Sequence, residues 1–332
     1  GYETRFIKGF DTQASGDVTQ QDKEMKQNNN AVFVSSEINV IDKLLIRPGV
    51  RYEYNSMFKS QLLGSLHARY LFNKGYELRG SIGSSYRTPN FEELYYYFVD
   101  SNHDVRGNQN LKPERGFSSF LNLKKRSWFN DISMSNNLKF SYIDLKDRIE
   151  LAVVNTLPLQ YQYINIDGYK LIGCSLENSI KKDNWAFNLG ATYQGISRIM
   201  NNEANAKNDF LYALQLNTSA TYFINKWNTA FTLLLKHNGK QQNYIGDGSD
   251  NEGNTLFKKY TTNAFTWMDA SIKKTFLDKK IDVTLGARNL LDVTTVAIDG
   301  ASTSGIHSSN NSGLLLGYGR SYYLKLLYNL NF

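Results

Sequence analysis

Three glutamates, three consecutive tyrosines, a histidine and two prolines crowd the stretch SSYRTPNFEELYYYFVDSNHDVRGNQNLKPE, Ser84 to Glu114, in a chain with only four histidines and four prolines. Such residues could serve catalysis, bind a ligand, or simply turn the chain between two elements. Catalysis needs partners that the sequence does not supply. There is no serine–histidine–aspartate grouping with a nucleophile-elbow glycine pattern, no cysteine cluster, no His-x-x-x-His and no phosphate-cradling glycine loop. Asp100, Asn102, Asp104 and Asn108 offer oxygens of the kind calcium takes, but at a spacing that matches no recognised calcium loop. The chain therefore does not read as an enzyme. A binding loop remains, or a plain connection in which Pro89 and Pro113 mark strand ends and Glu92 and Glu93 are solvated charges.

The elements that must carry this stretch show a period of two. In GRSYYLKLLYNLNF, Tyr322, Leu324, Leu326, Tyr328, Leu330 and Phe332 share one face, opposite Ser321, Tyr323, Lys325, Leu327, Asn329 and Asn331. The same pattern predicts about fourteen strands, near 1–10, 31–40, 43–54, 61–72, 76–87, 115–125, 132–145, 168–181, 185–197, 210–223, 227–238, 262–275, 281–290 and 319–332. Strands of soluble proteins usually run about five or six residues, whereas a tilted strand crossing a bilayer needs roughly 9–11. Short connections, such as 73–75 and 182–184, alternate with long ones at 11–30, 88–114, 146–167, 198–209, 239–261 and 291–318. Only 55–60 is short where a long one is expected. Tight periplasmic turns alternating with large external loops are the pattern of an outer-membrane barrel. The fold class is all-β: an antiparallel transmembrane β-barrel with its quoted loop outside the cell.

Composition agrees. Aromatics reach 14%, which suits pleated surfaces and interfacial girdles. No apolar run is long enough for a membrane helix. Lysine and arginine are spread along the chain rather than clustered, so no nucleic acid is expected as a partner. Cys174 cannot pair within the chain and reads as a small buried or lipid-facing hydrophobe. Glu37, Arg51, Glu53, His67, Arg69, Glu77, Arg79 and Arg87 fall on polar faces, which demands a wet lumen or a plug. GYETRFIKGF carries no signal-peptide pattern, and the numbering is expected to begin inside a longer protein.

Several motifs resemble those of the TonB-dependent outer-membrane receptors: AVFVSSEINVIDKLLIRPGVRYEYNS (31–56), SYRTPNFEELY (85–95), GNQNLKPE (107–114), YINIDGYKLIGCSLEN (163–178) and LGARNLLDV (285–293). Phe332 is similar to the C-terminal aromatic by which such barrels are recognised for assembly. The resemblance implies a 22-stranded barrel enclosing an N-terminal plug, of which residues 1–332 would be the C-terminal portion, lacking the plug and first strands. It implies energised uptake, through the TonB–ExbB–ExbD complex, of a ferric siderophore, haem or cobalamin in a Gram-negative outer membrane. Lipopolysaccharide would surround the barrel, and a surface lipoprotein could join it. A passive porin and a surface ligand-binding or adhesin barrel are the alternatives.

The haem-receptor branch of that family suggests specific residues. Tyr86-Arg87-Thr88-Pro89 and Asn108-Gln109-Asn110-Leu111 are similar to its Phe-Arg-Ala-Pro and Asn-Pro-Asn-Leu boxes, with His103 between them. Thr88 and Gln109 depart from the pattern. On this resemblance His103 would ligate haem iron, with Tyr95, Tyr96, Tyr97 and Phe98 lining a slot for the macrocycle and Tyr86, Arg87 and Asn108 nearby. No intrinsic cofactor is implied. Haem or a ferric chelate would be cargo.

Overall fold

A computed structural model describes residues 1–10, 24–101, 103–156, 158–199, 210–249, 255–277, 279–299 and 313–329. Fourteen long strands succeed one another: β1 (Tyr2–Phe10), β2 (Glu24–Ser35), β3 (Leu44–Asn55), β4 (Gln61–Leu71), β5 (Tyr76–Arg87), β6 (Glu114–Phe129), β7 (Ile132–Thr156), β8 (Leu159–Lys182), β9 (Trp185–Ile199), β10 (Leu211–Ile224), β11 (Thr229–Asn238), β12 (Phe265–Phe276), β13 (Ile281–Arg288) and β14 (Ser321–Tyr328). Each pairs antiparallel with the next. Among the described residues no pairing joins β1 to β14, so this is one open meander.

Two expected boundaries move the furthest. Residues 146–167 are not a long loop, because β7 and β8 continue as a hairpin of 25 and 24 residues. The apolar and aromatic residues of LAVVN and LQYQYI keep the ladder going, and Asp147, at φ 56°, marks the irregular point where that loop was expected to begin. The second strand starts earlier, at Glu24, and the rest of its expected span is the short strand Ile38–Ile41.

Register explains why the sheet needs no core of its own. Trp185, Tyr222, Phe231, Ile272, Leu285 and Leu324 lie side by side across β9 to β14, all exposed on one face. The other face carries the row Lys124, Asn137, Glu177, Gly190, Asn217 and Lys236. Its amides bond laterally, Asn122 to Asn137 at 2.5 Å and Asn137 to Glu177 at 3.0 Å. An apolar face of this extent is costly in water and belongs against lipid, where every backbone group must be paired within the sheet. Phe72, Trp128, Phe129, Trp185, Trp227 and Phe276, all exposed, gather near the short-turn ends, as an aromatic girdle does. Two of those turns have just two residues, and Asn130 and Asp183 adopt the left-handed φ of 48° in them.

The buried clusters lie at the opposite, long-loop end. One joins Leu94, Leu111 and Ile149, the other Ile166 and Tyr169. A hairpin of Gln241–Ser249 and Thr255–Thr262 lies there against β7 and β10.

Candidate ligand-recognition site at the barrel mouth

The quoted stretch forms a knot before it forms anything else. Pro89, fully buried, ends β5, and Asn90 then caps the short helix α1 (Phe91–Tyr95). Asn90 Oδ1 accepts from the Glu93 amide at 2.8 Å while Glu93 returns a bond to the Asn90 amide at 2.9 Å, a reciprocal capping box. Glu93, 9% exposed, also accepts two bonds from Arg87 at 2.8 and 2.9 Å. The other end of the Arg87 fork donates to Glu114 at 2.6 Å, and Glu114 accepts the Ile149 amide at 2.9 Å. One guanidinium thus ties the tops of β5 and β6 to the helix, a use its planar fork suits.

The second box docks on this frame. Gly107 donates to the Tyr96 carbonyl at 2.5 Å and Asn108 to that of Glu93 at 2.8 Å. A Cβ at Gly107 would stand 2.6 Å from the Tyr95 nitrogen, so only glycine fits. Asn108 Nδ2 donates to the Tyr163 carbonyl at 3.1 Å. Leu111 enters the cluster with Leu94 and Ile149, and Asn165 clasps the Lys112 backbone, accepting at 2.8 Å and donating at 2.9 Å. The segments 85–95, 107–114 and 163–178 therefore converge.

Above the knot lies the tip. The short strand Asp104–Arg106 pairs parallel with Tyr161–Gln162 of β8. Asp104 grips the Arg106 guanidinium at 2.7 and 3.0 Å, which holds its pKa above the usual arginine value, and Arg106 covers the Tyr97 ring at 5.6 Å. His103, 44% exposed, rests on Phe98 at 5.1 Å, with Nδ1 3.0 Å from Asp100. Tyr96 lies 6.5 Å from Phe98, ring to ring.

The structure thus separates the expected site residues into three places. Tyr96, Tyr97 and His103 share the tip, while Tyr95 packs against the buried cluster with Arg87 and Asn108 at the base. Tyr86, on the opposite face from Arg87, donates to the Lys59 carbonyl at 3.1 Å. Phe332 and Asn102 lie outside the described residues. Among the described residues no three histidines, cysteines or carboxylates gather as a metal site.

A second cluster was hidden by reading 146–167 as loop. Arg148 stacks 3.7 Å from the Tyr169 ring centroid, and Glu150 Oε1 stands 3.3 Å from Arg148 Nε and 3.4 Å from Arg198 Nε. That oxygen and Ser197 Oγ are buried without a hydrogen bond among the described residues. Burial raises the pKa of the neighbouring Tyr260 hydroxyl, and Arg198 partly offsets the rise. The signal that could have found the pair is the i, i+2 spacing of Arg148 and Glu150, which places both on one face of a continuing strand. Two guanidinium groups thus face one carboxylate at the mouth.

The comparisons with known proteins bear on this arrangement directly. Residues 2–290 match the family described as TonB dependent receptor-like, beta-barrel. The chain belongs to that family. Its strands are outer-membrane barrel strands, with the apolar face toward lipid. The family consists of receptors rather than enzymes. Among solved structures, the chain is similar to the ferric enterobactin receptor of Pseudomonas aeruginosa (17% identity, TM-score 0.66, covering 98% of this chain and 51% of that one). It is also similar to the siderophore receptor PirA of Acinetobacter baumannii (16%, 0.67, 98% and 51%). The FrpB iron transporter of Neisseria meningitidis matches at 14% identity and TM-score 0.67, over 92% of this chain and 45% of that one. The receptor chain thus spans about half the length of the structures it matches.

Proposed function

We propose that residues 1–332 form the C-terminal barrel portion of a TonB-dependent transporter that takes up a ferric siderophore. On this reading an N-terminal plug and further strands complete the barrel, the TonB–ExbB–ExbD complex supplies energy, and lipopolysaccharide surrounds the external rim. A surface lipoprotein partner remains within the proposal. The observation that carries the ligand class is the mouth cluster in which Arg148 and Arg198 share Glu150. Guanidinium groups in a half-buried setting favour an anionic chelate. The relatives whose structures are described as ferric enterobactin and siderophore receptors support that choice. The test is titration of the full-length receptor with ferric siderophores, followed by fluorescence. Arg148→Ala with Arg198→Ala should weaken binding at least about tenfold. Unchanged affinity would remove the cluster from recognition, and uptake that persists without TonB would favour a porin or an adhesin.

One observation keeps a haem reading. Asp100 holds His103 Nδ1 at 3.0 Å, as a carboxylate commonly orients a metal-binding imidazole. Haem would then meet His103 beside Tyr96, Tyr97 and Phe98. A Soret titration of the parent and His103→Ala decides it: no haem binding by the parent, or identical binding by both, ends the role of His103.

A further inference from the structure

On the lipid face of the late strands the wall is dented. Ala220, Ala270 and Ala287 occupy one register row with Leu233 and Tyr322, so three small side chains fall where neighbouring rows carry large ones. The dent opens into an apolar groove of about 970 Å³ that is walled by Trp185, Phe231 and Leu324. It starts at the short-turn ends of β9 and β10, crosses the middle of β12 and reaches Ala287 and Tyr322 at the long-loop ends of β13 and β14. One register row beyond Ile272, nearer the short turns, Lys274 stands exposed on the same face, its ammonium 5.4 Å from the Phe276 ring centroid. We propose that this groove holds one acyl chain of a periplasmic-leaflet glycerophospholipid whose phosphate is met by Lys274.

The lining is chemically suited to a hydrocarbon and to little else, because its floor and walls present no charge. Lys274 supplies the complementary charge at headgroup depth, where long cationic side chains sit at the interface. Trp185 and Tyr222, ring to ring at 4.6 Å, stand at the same girdle level and mark the depth of the interface. Lys274, two residues from the short-turn end of β12, sets the headgroup on the periplasmic side, away from lipopolysaccharide. The site goes beyond nutrient uptake and depends only on the barrel's place in the membrane.

The experiment uses full-length receptor, stripped in detergent and titrated with phosphatidylglycerol, with bound lipid counted by native mass spectrometry. The parent should retain one phospholipid that resists exchange, and affinity should rise with acyl-chain length. Ala287→Leu, which fills the floor, should weaken that lipid by about tenfold, and Lys274→Gln should weaken it while leaving the chain-length dependence intact. A Leu62→Ile variant, on the lipid face far from the groove, should bind as the parent does. Equal retention by the parent and Ala287→Leu would overturn the proposal, as would a preference for lipopolysaccharide over phosphatidylglycerol. If Ala287→Leu does not fold, the chain-length series on the parent decides: affinity independent of chain length overturns the groove.

Discussion

Two asparagines close the mouth by the same chemistry and at very different range. Asn289 accepts the Val293 amide at 2.9 Å and donates to the Val293 carbonyl at 3.0 Å, a clasp across four residues, with the asparagine wholly buried. Asn165 does the same to Lys112 across 53 residues, and donates a further bond to the Asp147 carbonyl at 2.6 Å. The short clasp closes a small loop, so little chain entropy opposes it. The long one forms only where β6, β7 and β8 are already in register. The near clasp is a local turn with left-handed φ at Asn289 and Asp292, while the far clasp is a consequence of the barrel. The near clasp should therefore be the more autonomous of the two, and the far one the more sensitive to anything that loosens the loop.

Four substitutions sharpen that contrast. The largest effect is expected at Asn289→Asp, which places a carboxylate in a fully buried site and loses the donor to Val293. Asp269 already accepts the Asn289 backbone N–H there at 2.8 Å, so the new carboxylate would lie near an existing one. A loss of roughly 3 kcal/mol or more is expected, measured as a lower denaturation midpoint of the folded barrel. Leu111→Ala should cost about 2–4 kcal/mol locally. It should free the Gly107 and Asn108 amides to exchange hydrogen while leaving the Val293 amide protected. Equal exposure at both clasps would show that the mouth opens as one unit. Asn165→Asp, at a half-buried site, should cost only about 1–2 kcal/mol, and a loss as large as that of Asn289→Asp would refute the ranking.

The smallest effect concerns Tyr163, whose hydroxyl donates to Glu92 at 3.3 Å. Burial first, and the Glu92 carboxylate second, raise its pKa above the usual tyrosine value. A folded-state pKa raised above the unfolded one means a contribution fully present below about pH 10 and lost as pH climbs through the folded value. Loop amide exchange should quicken above about pH 10 in the parent and lack that step in Tyr163→Phe. A step that survives in the variant would assign it to another group.

Much of the wall was legible because a strand's side chains alternate by necessity. Tyr222 and Leu324 point to one face and Asn217 and Lys325 to the other, whatever the strand pairs with. The extension of β7 and β8 was missed because the Asp147 irregularity interrupts the alternation, and Arg148 and Glu150 vanished with it. The site residues were found as a group but not by role. Arg87 and Asn108 lie close to the tip in sequence, yet their bonds go to Glu93, Glu114 and Tyr163, the last of them 55 residues away from Asn108. No periodicity encodes a partner at that distance.

By itself, then, the order of residues determined that this chain is a long-stranded antiparallel membrane sheet, which end holds the loops, and which stretch to suspect. Those properties follow from local geometry: two residues per pleat, turn formers between runs, and apolar faces wide enough to need lipid. Only the tertiary structure decided that Arg87 is a tie between two carboxylates, that His103 rests beside Asp100 and Phe98, and that Arg148 and Arg198 meet over Glu150. Those contacts join residues on different strands, and a side chain's partner across strands is set by register and by the folding of loops over them, which no single segment contains.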